Sequence, residues 1–170
     1  MLRRLIFGQE AKVVGTFNLL ETECAIRKTS TLSNPGDNLE LLGRQLRRTS
    51  DSILVCMDNQ HVDKMLEESD LLTCRLATTP GNDTLRKKVE EEELLSPEEH
   101  KQNRKLVSQL LWLSPVRPDI TYAVKELSRG VQSPTCEHQA KLRHLLRYLS
   151  GTRDQCIELK PNLTLNEKLY

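Results

Sequence analysis

Lys141, Arg143, His144 and Arg147 lie within seven residues of one another near the C-terminal end of the chain. Lys141, His144 and Tyr148 recur at three- and four-residue steps, the spacing at which helical neighbours share a face, and Arg143 with Arg147 makes a second edge beside them. Cationic side chains spaced in this way bind anions, and phosphates above all, because each neutralised phosphate releases a counterion. The two edges are therefore the candidate phosphate-tracking surface. The sequence provides less for other chemistry. Two-metal phosphoryl transfer needs converging carboxylates, whereas Asp51, Asp58, Asp63 and Asp70 fall in turns or on solvated helix faces and read as surface charge. His61, His100 and His138 have no nucleophile or carboxylate at a readable spacing, which leaves surface or capping roles. The five cysteines are scattered singly and read as buried or incidental thiols. Cys136 and His138 stand two apart, a poor helical spacing for chelation, so no metal site is expected.

The elements that must carry these residues are written most clearly from Ser96 onward. Ser96-Pro97-Glu98-Glu99 has the form of a capping box with proline at the first helical position. Leu106, Val107, Leu110 and Leu111 then give an apolar face, and Pro115 stops the helix. Pro118-Asp119 starts a second helix, with Ile120, Ala123, Val124 and Leu127 at the helical period and Gly130 at its end. Thr135 caps a third, whose stripe is Leu142, Leu145, Leu146 and Leu149 and whose stop is Gly151. Arg117 and Asp119 flank Pro118 in the joint between the first two, and an internal salt bridge fixing that turn is preferred there over contact with nucleic acid. Trp112 reads as a core plug rather than a base-stacking platform.

Earlier in the chain the signals are shorter. Leu5 to Gly8 reads as the end of a strand, and Gln9 to Lys28 as an amphipathic helix through Val13, Val14, Phe17, Leu20 and Cys24. Leu39–Leu46 and Ile53–Met57 read as two strands joined by Arg48-Thr49-Ser50-Asp51, a hairpin. Asp58 to Leu72 is a helix with Asp58 as cap and Val62, Met65, Leu66 and Leu72 on its apolar side. Gly81 to Leu95, with four consecutive glutamates at Glu90 to Glu93, reads as an acidic linker. Gln155 to Lys160 is one more strand, expected to fray or to pair with something outside this chain.

Hydrophobic residues make up 37% and aromatics 4%, which limits the core to a modest size. No apolar run is long enough to span a membrane and the first residues lack a secretory apolar segment, so a soluble intracellular protein without a membrane partner is expected. The net charge of +1 conceals basic flanks on either side of an acidic stretch from Asp51 to Glu99, and the flanks suit a polyanionic partner.

The succession Leu110-Leu111-Trp112-Leu113, Arg117-Pro118-Asp119-Ile120, Tyr122-Ala123-Val124, Leu127-Ser128-Arg129, Pro134-Thr135, His138 and Leu146-Arg147-Tyr148-Leu149-Ser150-Gly151-Thr152 resembles the region after the polymerase palm in copia-type retrotransposon polyproteins. Its order and gaps, over about forty-five residues, carry the specificity that no single short word has. In that family the region links the reverse transcriptase to the ribonuclease H domain.

The resemblance implies an α+β, mostly helical fold: a palm remnant of strand, helix and hairpin over residues 1–80, the linker 81–95, a three-helix thumb and connection unit over 96–152, and the start of a truncated ribonuclease H-like strand or tail over 153–170. It also implies that the hairpin from Asn38 to Met57 is similar to the one that grips the primer end, placing Gly43, Arg44 and Gln45 against nucleic acid beside Lys141, Arg143, His144 and Arg147. Where the family has paired aspartates for magnesium, this chain reads Met1-Leu2-Arg3-Arg4, and an arginine pair cannot hold a cation. The expectation is thus a fragment derived from an RNA-directed DNA polymerase, without catalytic or metal-binding residues, with magnesium a cofactor of the parent family only. Its partners would be an RNA–DNA or DNA template–primer duplex and the missing parts of the polyprotein. Two alternatives stay open: a domesticated helical interaction module, and a mis-cut piece of an active reverse transcriptase and ribonuclease H polyprotein.

Overall fold

A computed structural model describes residues 10–23, 31–81 and 93–160. The strand read at Leu5 to Gly8, the continuation of the first helix beyond Glu23 and most of the acidic linker lie outside these residues. The architecture is α+β, about half helical. In chain order it runs α1 (Glu10–Glu23), β1 (Asn38–Leu41), β2 (Arg44–Arg48), β3 (Ile53–Met57), α2 (Asn59–Glu68), α3 (Pro97–Leu113), a 3-10 turn (Pro118–Ile120), α4 (Thr121–Arg129), α5 (Cys136–Gly151) and β4 (Cys156–Leu159).

The four strands form one antiparallel sheet in the order β1-β2-β3-β4. The segment read as a single strand from Leu39 to Leu46 is broken in two. Leu42 and Gly43 both take left-handed backbone, with φ of 52° and 68°, and make a two-residue hairpin turn between β1 and β2. Such a turn needs positive φ at both central positions. Leucine gave no sign of it in the sequence because it is an unusual residue there.

A second correction concerns β4. It is neither frayed nor waiting for an outside partner, because it pairs along β3 with Ile53 opposite Leu159 and Cys56 opposite Cys156. At that last pair the Cα atoms stand 4.4 Å apart and a disulfide joins the two cysteines, so they are not incidental thiols. The register also aligns Leu39, Leu46, Val55 and Ile157 across all four strands on one face of the sheet. Val55 and Met57 on that face meet the helices.

Each helix follows its punctuation. At α3 the Ser96 backbone N–H donates to Glu99 Oε2 at 3.1 Å, and the Glu99 N–H donates to Ser96 Oγ at 3.4 Å. Asp58 accepts from the Gln60 N–H at 3.0 Å to cap α2. At α5 the reciprocal half of the box is an imidazole: His138 Nδ1 accepts from the Thr135 N–H at 3.3 Å. Gly130 lies directly beneath that ring, where a β-carbon would fall 2.1 Å from His138 Nε2.

One core joins β3, α2 and the helices α3 to α5. Met57, Val62, Met65, Leu66 and Leu71 from the first half pack with Leu106, Val107, Leu110, Leu113, Ile120, Val124, Leu127 and the α5 stripe. Two apolar positions differ from the periodic reading. Leu111 is exposed while Leu113 is buried, because the inward face of α3 runs 106, 107, 110, 113. Leu72 is exposed while Leu71 is buried, because Asp70 adopts φ of 54° and turns the chain inward one residue early. The C-terminal end of the acidic stretch is fixed too. Glu93 accepts from the Cys136 N–H at 3.0 Å, and the Leu95 N–H donates to Pro134 at 3.0 Å.

Candidate nucleic-acid interface

Among the described residues the most deeply enclosed arginine is Arg117, which is only 1% exposed. Its position is dictated by the joint after α3: Pro115 ends the helix, the Arg117 N–H folds back to Leu113 O at 3.1 Å, and Pro118 begins the 3-10 turn. The guanidinium then meets Asp119 side-on, with Nε donating to Oδ1 at 2.9 Å and an Nη to Oδ2 at 2.7 Å. It also donates to the Thr152 carbonyl at 2.9 Å and to Thr152 Oγ1 at 2.7 Å, and approaches Met57 Sδ at 3.8 Å. Tyr148 completes the cluster by donating its hydroxyl to Asp119 Oδ2 at 2.9 Å. Burial tends to raise the Asp119 carboxyl, but the hydrogen bonds from Arg117 and Tyr148 and the Arg117 charge outweigh it and hold the group below its usual range. Burial and the bond to Asp119 together push the Tyr148 hydroxyl up.

This cluster joins the α3–α4 joint to the end of α5 and the end of β3. The internal salt bridge preferred from the sequence is therefore present, and Arg-Pro-Asp and Tyr-Leu-Ser-Gly-Thr turn out to be two halves of one lock. Tyr148 belongs to it and is 7% exposed, not part of the basic edge on which its spacing had placed it.

Two other α5 residues, His144 and Arg147, contact the segment 75–79 that crosses the helix. Arg147 Nε donates to Arg75 O at 2.6 Å, His144 Nε2 to Thr79 O at 2.9 Å, and the Ala77 N–H to Arg147 O at 3.4 Å. Lys141 pairs with Glu137 one turn earlier. Arg143 is exposed, with one long 3.5 Å contact to Ser69 O. A carbonyl only accepts, so His144 carries its proton on Nε2.

Gly43, Arg44 and Gln45 sit at the β1–β2 turn. Gln45 Oε1 accepts from Arg47 at 3.0 Å. Gly43 abuts Trp112, where a β-carbon would come within 3.0 Å of the indole, and the Arg44 guanidinium lies 5.7 Å from the Trp112 ring centre. Trp112 is 39% exposed, so it is not a core plug: it stands on the outer side of α3 with His61 edge-on at 5.3 Å. Its outward position follows from the same α3 face that buries Leu110 and Leu113. The structure thus gathers Gly43 and Arg44 around Trp112, and sets Lys141, Arg143, His144 and Arg147 along α5. Trp112 and His61 were missed as partners of the hairpin because contacts between distant segments leave no local periodicity.

Among the described residues no group of three or more His, Cys, Asp or Glu side chains is placed to hold a metal ion. Asp58 caps α2, Asp63 pairs with Arg153 at 2.5 Å and Asp119 is held by Arg117, so these carboxylates do not fit the magnesium of the parent family. No described helix is long and apolar enough to cross a membrane.

An α+β chain whose lock residues follow the copia motif order points to a transposon polyprotein. The chain is 28% identical over 169 residues to the retrovirus-related Pol polyprotein from transposon RE2 of Arabidopsis thaliana, which covers 98% of this chain and 11% of that protein. It is 34% identical over 112 residues to the Pol polyprotein from transposon RE1 of the same plant, covering 65% of this chain and 7% of that protein. An uncharacterized mitochondrial protein of Arabidopsis thaliana is 26% identical over 168 residues, covering 98% of this chain and 68% of that protein. The chain is a relative of the Pol polyproteins of copia-type retrotransposons. It spans about a tenth of the length of the two polyproteins. No protein-family model matches it. No solved structure matches it either.

Proposed function

We propose that this chain is the part of a copia-type polyprotein that holds a template–primer duplex and performs no nucleotidyl transfer of its own. One observation carries the reading: the hairpin turn brings Gly43 and Arg44 onto an exposed tryptophan of a helix that belongs to the motif-bearing half. A tight turn, a guanidinium and an aromatic ring that meet beside an exposed face form a surface suited to the end of a nucleic-acid strand. On α5 the exposed Arg143 and the outer nitrogens of Arg147, whose Nε alone donates to Arg75, would follow the phosphates.

The test is fluorescence anisotropy of a labelled RNA–DNA duplex. With about four phosphates neutralised, affinity should fall roughly a hundredfold between 50 and 200 mM salt. Arg143→Glu with Arg147→Glu should abolish the shift. Affinity indifferent to salt, or unchanged in the double variant, would refute this reading.

A further inference from the structure

A shallow groove of about 490 Å³ opens beside Trp112, lined by His61, Lys105, Ser108, Gln109 and Trp112. We propose that it receives one unstacked nucleobase from a single-stranded end. This deepens the duplex-holding reading above and rests on it, since it names the part of the nucleic acid that this corner of the molecule would take.

Three features of the groove fit such a ligand. Its wall is an indole, the only tryptophan in the chain, held at a fixed tilt by His61 against its edge and by the turn at Gly43. Every base offers a π-face to such a ring, so stacking needs no sequence preference. Next, two buried polar atoms of the lining residues, shielded behind the apolar wall, have no hydrogen-bond partner: Gln109 Oε1 and His61 Nε2. Unsatisfied polar groups at an apolar wall are costly, and a purely apolar side chain in the groove would leave them so. A base carries donors and acceptors on its edge, and a glutamine amide can pair with such an edge once its side chain turns outward.

The third feature is charge. Arg44 lies over the ring, and Lys105 lies on the same stripe of α3 as Ser108 and Trp112, at three- and four-residue steps. Glu68 pairs with Lys105 at 2.7 Å and would oppose a phosphate. Both members of that pair are substantially exposed, so the contact is weak and exchanges readily for a phosphate. An aromatic wall flanked by cations, with unpaired polar groups shielded behind it, suits a flat anionic ligand better than an apolar peptide.

The single tryptophan makes its own reporter. The full chain is titrated with a twelve-residue oligothymidine, with an abasic strand of equal length and with the RNA–DNA duplex, following intrinsic fluorescence and the anisotropy of labelled strands. Oligothymidine should quench Trp112, and the abasic strand should bind about tenfold more weakly without quenching. Trp112→Ala should weaken oligothymidine binding about tenfold and leave the abasic strand unchanged, with Trp112→Phe restoring part of the loss. Gln109→Ala should weaken it less, with the ring intact and the melting curve unaltered. Oligothymidine that binds without quenching, or no better than the abasic strand, would overturn the proposal. Quenching that grows with protein concentration in the absence of any strand would overturn it too, by assigning the groove to a second copy of the chain. If the duplex still binds in a salt-dependent way while Trp112 stays silent, the groove falls and the duplex reading stands. If neither strand nor duplex binds, both fall.

Discussion

Two arginines in this molecule sit beside an aromatic ring at nearly the same distance, Arg117 at 5.8 Å from Tyr148 and Arg44 at 5.7 Å from Trp112, yet they do different work. Arg117 is 1% exposed and each of its side-chain nitrogens has a partner, which spans Asp119, Thr152 and Met57. Arg44 is half-buried, with its Nε shielded and unpaired, against a ring that is 39% exposed. A buried charge is tolerable only when its hydrogen bonds are complete, whereas a half-buried guanidinium beside an exposed ring keeps its terminal nitrogens for something else. The same side chain therefore serves as internal fastening in one place and as an outward-facing contact in the other.

The comparison breaks most visibly at Arg117. Arg117→Ala leaves Asp119 without its charge partner, removes the two bonds to Thr152 and opens a hole against Met57. Breaking a buried pair from one side costs about 3–5 kcal/mol, a large part of the roughly 5–15 kcal/mol that a domain has in total. Urea denaturation should show the midpoint collapse or no folded baseline at all. A loss under about 1 kcal/mol, the level of an exposed ion pair, would mean that the cluster is decoration rather than fastening.

Tyr148→Phe is the intermediate case, expected to cost about 1.5–3 kcal/mol for one hydrogen bond to a charged acceptor. Its value lies in the pH profile. Asp119 has its folded pKa lowered, so its contribution is present above the ordinary carboxylate value near 4 and is lost as pH falls through the folded value. Glu158, held down first by the Ser52 hydroxyl, and Glu99, held down first by the Ser96 hydroxyl, lose theirs in the same direction. Tyr148 is raised, so its contribution is complete below about pH 10 and is lost as pH climbs through the folded value. Stability should therefore form a plateau between these limits. Asp119→Asn should flatten the acid limb and Tyr148→Phe the alkaline one, both read from melting temperature against pH. Unchanged limbs in both variants would show that other groups govern them.

The sequence disclosed these two regions unequally, and the reason is range. Capping residues act on backbone groups two or three residues away, so Ser96, Asp58 and Thr135 could be read from the order of letters alone. Arg117 and Asp119 are two apart, and their pairing was likewise local. Thr152, Tyr148 and Met57 join them from 35, 31 and 60 residues away, and no periodicity announces that. The pairing of β4 with β3 closes across 100 residues at the cysteines, which was equally out of reach. Trp112 shows the opposite error. A tryptophan in a leucine-rich helix suggests burial, but the face was settled by where Leu110 and Leu113 point.

Arg44→Ala sharpens the contrast because its effect on folding should be the smallest of the three. The cation–π contact at an exposed ring is worth about 0.5–1 kcal/mol, and removing the side chain also removes an unpaired Nε that the fold now shields from water. The two contributions oppose each other, so the urea midpoint should hardly move. Binding of the labelled duplex should fall all the same, with a shallower dependence on salt, since neutralising one phosphate fewer reduces the slope by about one. A surface arginine kept for folding alone would show the reverse: a lower urea midpoint with the salt slope unchanged. Measuring both quantities on one variant separates an arginine that fastens from an arginine that presents.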